Sequence, residues 1–218
     1  MPKLKPQEVE QRRREIIDAA RRCFLKNGFH QTTTDEICRE AAITPGGLYH
    51  YFGSKEDIIS AVIEDAALAT VESLKSTAEA SGDMRSAVQA LASLFFEWIR
   101  DPELDSVTRL DMEIWAETLR NDKLAEITRG SRALRREWLT ALIRRAVEDG
   151  VYTKDVDPGG LANLIMSIFD GLRLGRLLWR DDFDVDGALR ALVLMTTGRL
   201  TNGTHIELAQ EAQAAGRG

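Results

Sequence analysis

The sequence predicts an all-α protein, an N-terminal three-helix head followed by a C-terminal helical bundle, with about nine helices in all. Apolar residues recur three and four positions apart almost throughout. No run alternates β-branched residues between turns, as a half-buried strand requires. Asn-Gly, Thr-Pro, Ser-Gly and Asp-Pro pairs punctuate the periodic stretches.

The first helix is expected from about Gln7 to Lys26, with Ile16, Ala20, Cys23 and Phe24 on one face and Asn27-Gly28 as a left-handed stop. Thr33 or Thr34 caps a short second helix, whose first turn holds Asp35 and Glu36 where carboxylates favour the helix dipole. Thr44-Pro45 opens a third, Pro45 to Tyr51, because Thr caps and Pro tolerates the first helical position. Gly53-Ser54 breaks it, and Ser54, with Asp57 where a full capping box has Glu or Gln, starts a long fourth helix reaching Ala80. Five more follow: Met84 to Arg100, Leu104 to Arg120, Leu124 to Asp149, Pro158 to Trp179 and Val185 to Thr201. Asn202 to Gly218, ending in Ala, Gln and Gly, is expected to fray.

With 218 residues, 44% hydrophobic and 29% charged, the chain has the composition of one or two compact domains, which sets aside disordered and collagen-like classes. No stretch approaches the roughly 20 apolar residues of a membrane span, and MPKLKPQEVEQRRR lacks the apolar core of a secretory signal. A cytoplasmic location, without membrane association, is expected. Cys23 and Cys38 are too few for a disulfide framework or a zinc site, so both are expected to be reduced and buried. The net charge of −6 speaks against a polyanionic partner, yet it is unevenly spread. Residues 1–55 carry ten basic groups against seven acidic ones, a surplus of three. A basic head on an acidic body suits a protein that meets nucleic acid with its head alone.

A short helix, a tight turn and a second short helix opened by Thr-Pro form the arithmetic of a helix-turn-helix, which lays its second helix in the DNA major groove. Here that helix is Pro45-Gly46-Gly47-Leu48-Tyr49-His50-Tyr51, with Leu48 and Phe52 facing the core and the other side left for DNA. Gly46 and Gly47 each weaken the helix by roughly 1 kcal/mol, a cost that fits close approach of the backbone to another surface. Thr44, the free N–H groups at the helix start and Lys55 suit phosphate.

The stretch Arg14 to Ile58, marked by Ile17-Asp18-Ala19-Ala20, Phe24, Gly28-Phe29, Thr33-Thr34, Asp35-Glu36-Ile37, Ala41, Gly46, Leu48-Tyr49, Phe52 and Ser54-Lys55-Glu56, closely resembles the DNA-binding domain of the TetR family of transcriptional regulators. The resemblance implies DNA contacts at Thr34, Thr44, Pro45, Gly46, Gly47, Tyr49, His50, Tyr51 and Lys55. It departs from the family at Ala42, where glycine is usual in the turn, and at Pro45, where many members carry Lys or Arg. Readout is therefore expected to lean on apolar contacts and DNA shape.

The resemblance also implies domains at residues 1–55 and 56–218, and pairing of the last two helices with those of a second subunit. Leu161, Leu164, Ile165, Ile168 and Leu172 make one stripe for that seam, joined by Gly171 and Gly175; Leu189, Leu192, Val193 and Leu200 make another. A symmetric dimer sets recognition helices about 34–36 Å apart, one turn of DNA. An effector pocket is implied among the middle helices, with Met112, Trp115, Trp138, Phe169 and Asp170 as wall candidates. The stretch LDMEIWAETLRNDKLA is similar to betaine-choline-type regulators of the family, and Trp faces can hold cations. Asp170 pairs with Arg173 or Arg144, lies at the subunit seam, or meets ligand.

His30, His50 and His205 are scattered, and no phosphate loop, dinucleotide fingerprint or metal-spaced cluster occurs. No catalytic residue, metal or cofactor is expected. The expected protein is a homodimeric, ligand-responsive regulator, a repressor that leaves a palindromic double-stranded operator when a small-molecule effector binds. The alternative is a helical module that binds small molecules or proteins and does not read DNA.

Overall fold

The computed structural model describes residues 6–200, which fall into two compact units meeting at Arg180–Asp181. Among the described residues there are nine α-helices and no strand. They are α1 (Pro6–Asn27), α2 (Thr34–Glu40), α3 (Pro45–Tyr51), α4 (Lys55–Glu79), α5 (Met84–Arg100), α6 (Leu104–Thr118), α7 (Asp122–Glu148), α8 (Pro158–Trp179) and α9 (Val185–Thr196).

The helix starts follow from their caps. Thr33 and Glu36 form a reciprocal capping box at α2. Thr44, Ser54 and Asp83 each accept a hydrogen bond from the backbone N–H three residues on, fixing α3, α4 and α5. Asn121, expected only as punctuation, caps α7 through Leu124 N–H at 3.1 Å and starts it two residues earlier than anticipated. The expected end of α9 at Thr201 is corrected: the helix stops at Thr196, followed by Gly198 at φ +66°. Two β-branched threonines and a left-handed glycine form a stop signal that apolar periodicity alone does not register. The predicted fraying of Asn202 to Gly218, and His205, lie outside the described residues.

Within the first unit, α1 packs on α2, α4 and α6, and α2 on α3. Phe24, Ile16, Ile37, Leu48, Ile58 and Ile59 are fully buried together, each contributing roughly 1.5–3 kcal/mol. This core extends into Leu110 and Ile114 of α6 and Leu124 of α7. α4 runs along α7 and α5, and α8 packs on α7 and α6. Cys23 and Cys38 are free thiols in the core, and burial pushes both above the usual thiol range.

Candidate nucleic-acid interface and regulatory body

α3 is anchored from inside by Leu48 and by Phe52 just past its end, which turns Thr44, Pro45, Gly46, Tyr49 and His50 to solvent. Tyr49 is 55% exposed, high for an aromatic ring and a sign of a contact surface. The two glycines differ. Nothing lies within 4 Å of where a Cβ on Gly46 would sit, whereas one on Gly47 would come 2.7 Å from Ile43 Cγ1. The expectation that both glycines open the backbone to an outside surface is thus corrected for Gly47, which is bare so that α3 can pack on Ile43. Tyr51 is half-buried against the head core, its ring centroid 5.4 Å from that of His50. Thr34 is half-buried in the first turn of α2.

The turn before α3 holds Ala42 at φ +49°, a left-handed conformation costing a side-chain-bearing residue roughly 1–2 kcal/mol. Arg12 of α1 donates to the carbonyls of Ala41 (3.2 Å) and Ala42 (3.0 Å) while pairing with Glu15 at 2.6 Å. Those bonds pin the turn without glycine. Lys55 is engaged inside the molecule: its Nζ donates to the His30 carbonyl at 3.2 Å and lies 4.6 Å from the Phe29 ring centre. Burial lowers its ammonium pKa below the usual lysine value.

Opposite faces of α6 serve different parts of the unit, because positions two apart on a helix point roughly 200° from each other. On one face, Glu113 accepts the Phe29 N–H at 2.7 Å, and its carboxylate blocks the side of Gly28 (φ +80°); Glu117, one turn on, lies 3.9 Å from His30 Nε2. On the other, Asp111 takes Arg173 at 2.5 Å, and the Trp115 ring lies under the Arg173 guanidinium at 4.9 Å. α6 therefore touches both the α1–α2 turn of the head and the charged interior of the body. Sequence reasoning missed Arg12, Glu113 and Glu117 in these roles. The four-residue spacing of the two glutamates was the available signal.

The predicted pocket walls separate. Trp115, Phe169 and Asp170 gather around Arg173, which is 5% exposed. Trp138 instead lines an open groove with Arg14, Asp65, Leu68, Glu72 and Leu134, between α1, α4 and α7. Met112 is half-buried on α6. Asp170 pairs with Arg173, as one sequence alternative held, and with Arg132 at 3.0 Å in place of Arg144.

Of the expected seam residues, Leu164 (55%), Val193 (43%) and Leu200 (55%) are exposed; Leu161, Ile165, Ile168, Leu172 and Leu192 are half-buried. Gly175 and Leu189, which the sequence places at the seam, are buried within the single chain. Leu178 and Trp179 on α8, and Leu194 and Met195 on α9, are exposed apolar residues that the stripes did not include. Among the described residues, no group of three His, Cys, Asp or Glu side chains is placed to hold a metal, and no helix is long and apolar enough to cross a membrane.

Comparison with known proteins supplies context for this geometry. Residues 16–62 match the model of bacterial regulatory proteins of the tetR family, and residues 84–199 match that of the BetI-type transcriptional repressor C-terminal domain. The chain is 28% identical over 165 residues to the HTH-type transcriptional regulator UidR of Escherichia coli K12, covering 76% of this chain and 81% of that one. It is 29% identical over 185 residues to TtgR of Pseudomonas putida, covering 83% and 87%. Salmonella enterica GusR superposes with a TM-score of 0.65 at 28% identity, covering 87% of this chain and 95% of its own.

Proposed function

This chain belongs to the TetR family of bacterial transcriptional regulators, and from that premise we propose that it represses transcription as a homodimer that leaves a palindromic operator when a small-molecule effector occupies its body. In this reading residues 1–55 form the DNA-binding head, residues 56–218 bind effector and partner, and the protein works in the cytoplasm beside its DNA. The carrying observation is the outward display of Thr44, Pro45, Gly46, Tyr49 and His50 on a helix locked from within by Leu48 and Phe52. These residues, with Thr34 and Tyr51, make the reading surface. Gly47 supports it from inside, and Lys55 braces its end while remaining near enough to the surface to meet phosphate.

With no Lys or Arg on α3, phosphate attraction is modest, and shape and apolar contacts carry more of the readout. On α8, Leu164, Ile168, Gly171 and Leu178 recur at helical spacing, with Gly171 open on its outer side, a face suited to a second copy; on α9, Val193, Leu194 and Met195 offer another.

Release requires that the effector prefer a head spacing that misfits DNA, a coupling of typically about 1–3 kcal/mol. α4 is one lever from body to head. α6 is a second, since one side of it holds the charged interior and the other the Phe29 N–H.

The test is a gel shift on the DNA upstream of the protein's own gene over a range of salt. Wild type is expected to bind, Tyr49→Ala to bind more weakly, and Lys55→Ala to show a salt slope shallower by about one. Absence of binding by wild type, or no change in both variants, would assign the chain to the helical modules that do not read DNA.

A further inference from the structure

The body's interior holds an unbalanced set of charges. Two carboxylates, Asp111 and Asp170, face three guanidiniums from α7 and α8. Arg173 takes Asp111 at 2.5 Å and Asp170 at 3.0 Å, and Arg132 takes Asp170 at 3.0 Å. Both acids are thereby engaged. Arg135, on the same face of α7 as Arg132, feels the fields of Asp111 and Asp170 but, among the described residues, has no carboxylate within ion-pair distance.

A second observation lies on that face. Thr128, one turn before Arg132, has a fully buried hydroxyl with no hydrogen-bond partner. A buried threonine in a helix ordinarily satisfies itself on the carbonyl one turn back, as Thr108 does on Leu104 at 2.7 Å. Thr128, Arg132 and Arg135 thus form a row with one unpaired cation and one unused donor.

The aromatic surroundings exclude the opposite charge. Arg173 already occupies the Trp115 face at 4.9 Å and lies 5.9 Å from the Phe169 ring centre. A cationic ligand would find these rings filled and would enter a cluster with one surplus positive charge, so the structure disfavours the cation-binding hint in the sequence. Phe95 and Trp98 extend the wall beyond Phe169, at centroid distances of 5.6 and 6.3 Å.

We propose that the effector is an organic anion, with a carboxylate, phosphate or sulfonate head held by Arg135 and the Thr128 hydroxyl, and an apolar or aromatic body laid against the Phe169 wall. This rests on the reading of the chain as an effector-controlled regulator and names the chemical class of its effector. A charge-assisted bond from guanidinium is about twice as strong as a neutral one, so an anionic head gains at least about tenfold over an uncharged head of the same shape.

The test uses the purified full chain and titration calorimetry with carboxylates on phenyl, naphthyl and long alkyl bodies, each beside its primary amide and its trimethylammonium counterpart. The best carboxylate is expected to bind at least about tenfold tighter than its amide, with the trimethylammonium compound weakest. Arg135→Gln should erase the preference, Arg135→Lys should restore part of it, and Arg129→Gln, an exposed change on the same helix, should leave it intact. Should Arg135→Gln unfold, the ranking in wild type and in Arg135→Lys decides. Equal binding of acid and amide, tighter binding of the cation, no binding by any compound, or a preference that survives a folded Arg135→Gln would each overturn the proposal. A gel shift run alongside separates the two readings: DNA released by cations alone rejects the anion and keeps the regulator, whereas failure to bind DNA rejects the regulator and leaves the ranking to judge the anion.

Discussion

The head and helix α8 of the body solve burial in different ways. In α1 to α3 and the start of α4, branched and aromatic side chains such as Phe24, Ile37, Leu48 and Ile58 are enclosed completely, and most charges stay at the surface. In α8, a helix of 22 residues, the buried positions are Ala162, Arg173 and Gly175, and all of its leucines are half-buried or exposed. A dry, interlocked core tolerates little rearrangement, whereas interior ion pairs and half-covered aromatics can exchange partners. The comparison teaches that the head is a fixed template and the body is the part able to answer a ligand or a second copy.

That contrast can be broken most forcefully in the head. Phe24→Ala should cost about 3–5 kcal/mol in denaturant unfolding and abolish DNA binding, since the cavity lies beneath both helices of the reading unit. In the body, Arg173→Ala should cost less than Phe24→Ala but still roughly 3 kcal/mol, because it leaves Asp111 and Asp170 without their shared cation; Arg173→Met, which keeps the stem, should recover part of that loss. Equal costs for Ala and Met would mean that charge, not packing of the stem against Trp115, holds this site, whereas full recovery in Met would mean the reverse.

Smaller effects sharpen the difference. Thr33→Ala removes one side of the α2 capping box and should cost about 1 kcal/mol, lowering melting temperature and operator affinity together. Ala42→Gly relieves a left-handed alanine and should be neutral or stabilising by up to about 1 kcal/mol; a clear loss would show that the Arg12 bonds depend on the alanine backbone.

The smallest effect is in pH. Hydrogen bonds from Thr33 hold the Glu36 carboxyl below its usual range, and those from Lys123 and Ser54 do the same for Asp57. A depressed folded-state pKa gives stability that is present above the unfolded value and lost as pH falls through the folded one. Melting temperature should therefore decline as pH drops below about 4, and Thr33→Ala should flatten part of that decline.

Much of the head was legible in the sequence because its signals are local. Thr44-Pro45 sets the start of α3, Ser54 that of α4, and Leu48 and Phe52, four apart, declare the inner side. Asp157-Pro158 marked the start of α8 in the same way. The charged interior was not legible, since Asp111, Arg132, Arg135 and Arg173 come from three helices and nothing in their spacing says which faces meet. Trp115 and Trp138 looked alike as apolar bulk, yet only Trp115 faces Arg173, because the azimuth of a long helix depends on its neighbours. The end of α9 escaped for a related reason: its leucines kept helical spacing past the point where Gly198 turns the chain.

The most direct test of the central claim is a hydroxyl-radical footprint on the DNA upstream of the protein's gene. A symmetric pair of α3 helices predicts two protected half-sites on one face of the duplex, centred about 34–36 Å apart, both weakened in Tyr49→Ala. A single protected patch, or protection that Tyr49→Ala leaves unchanged, would contradict it.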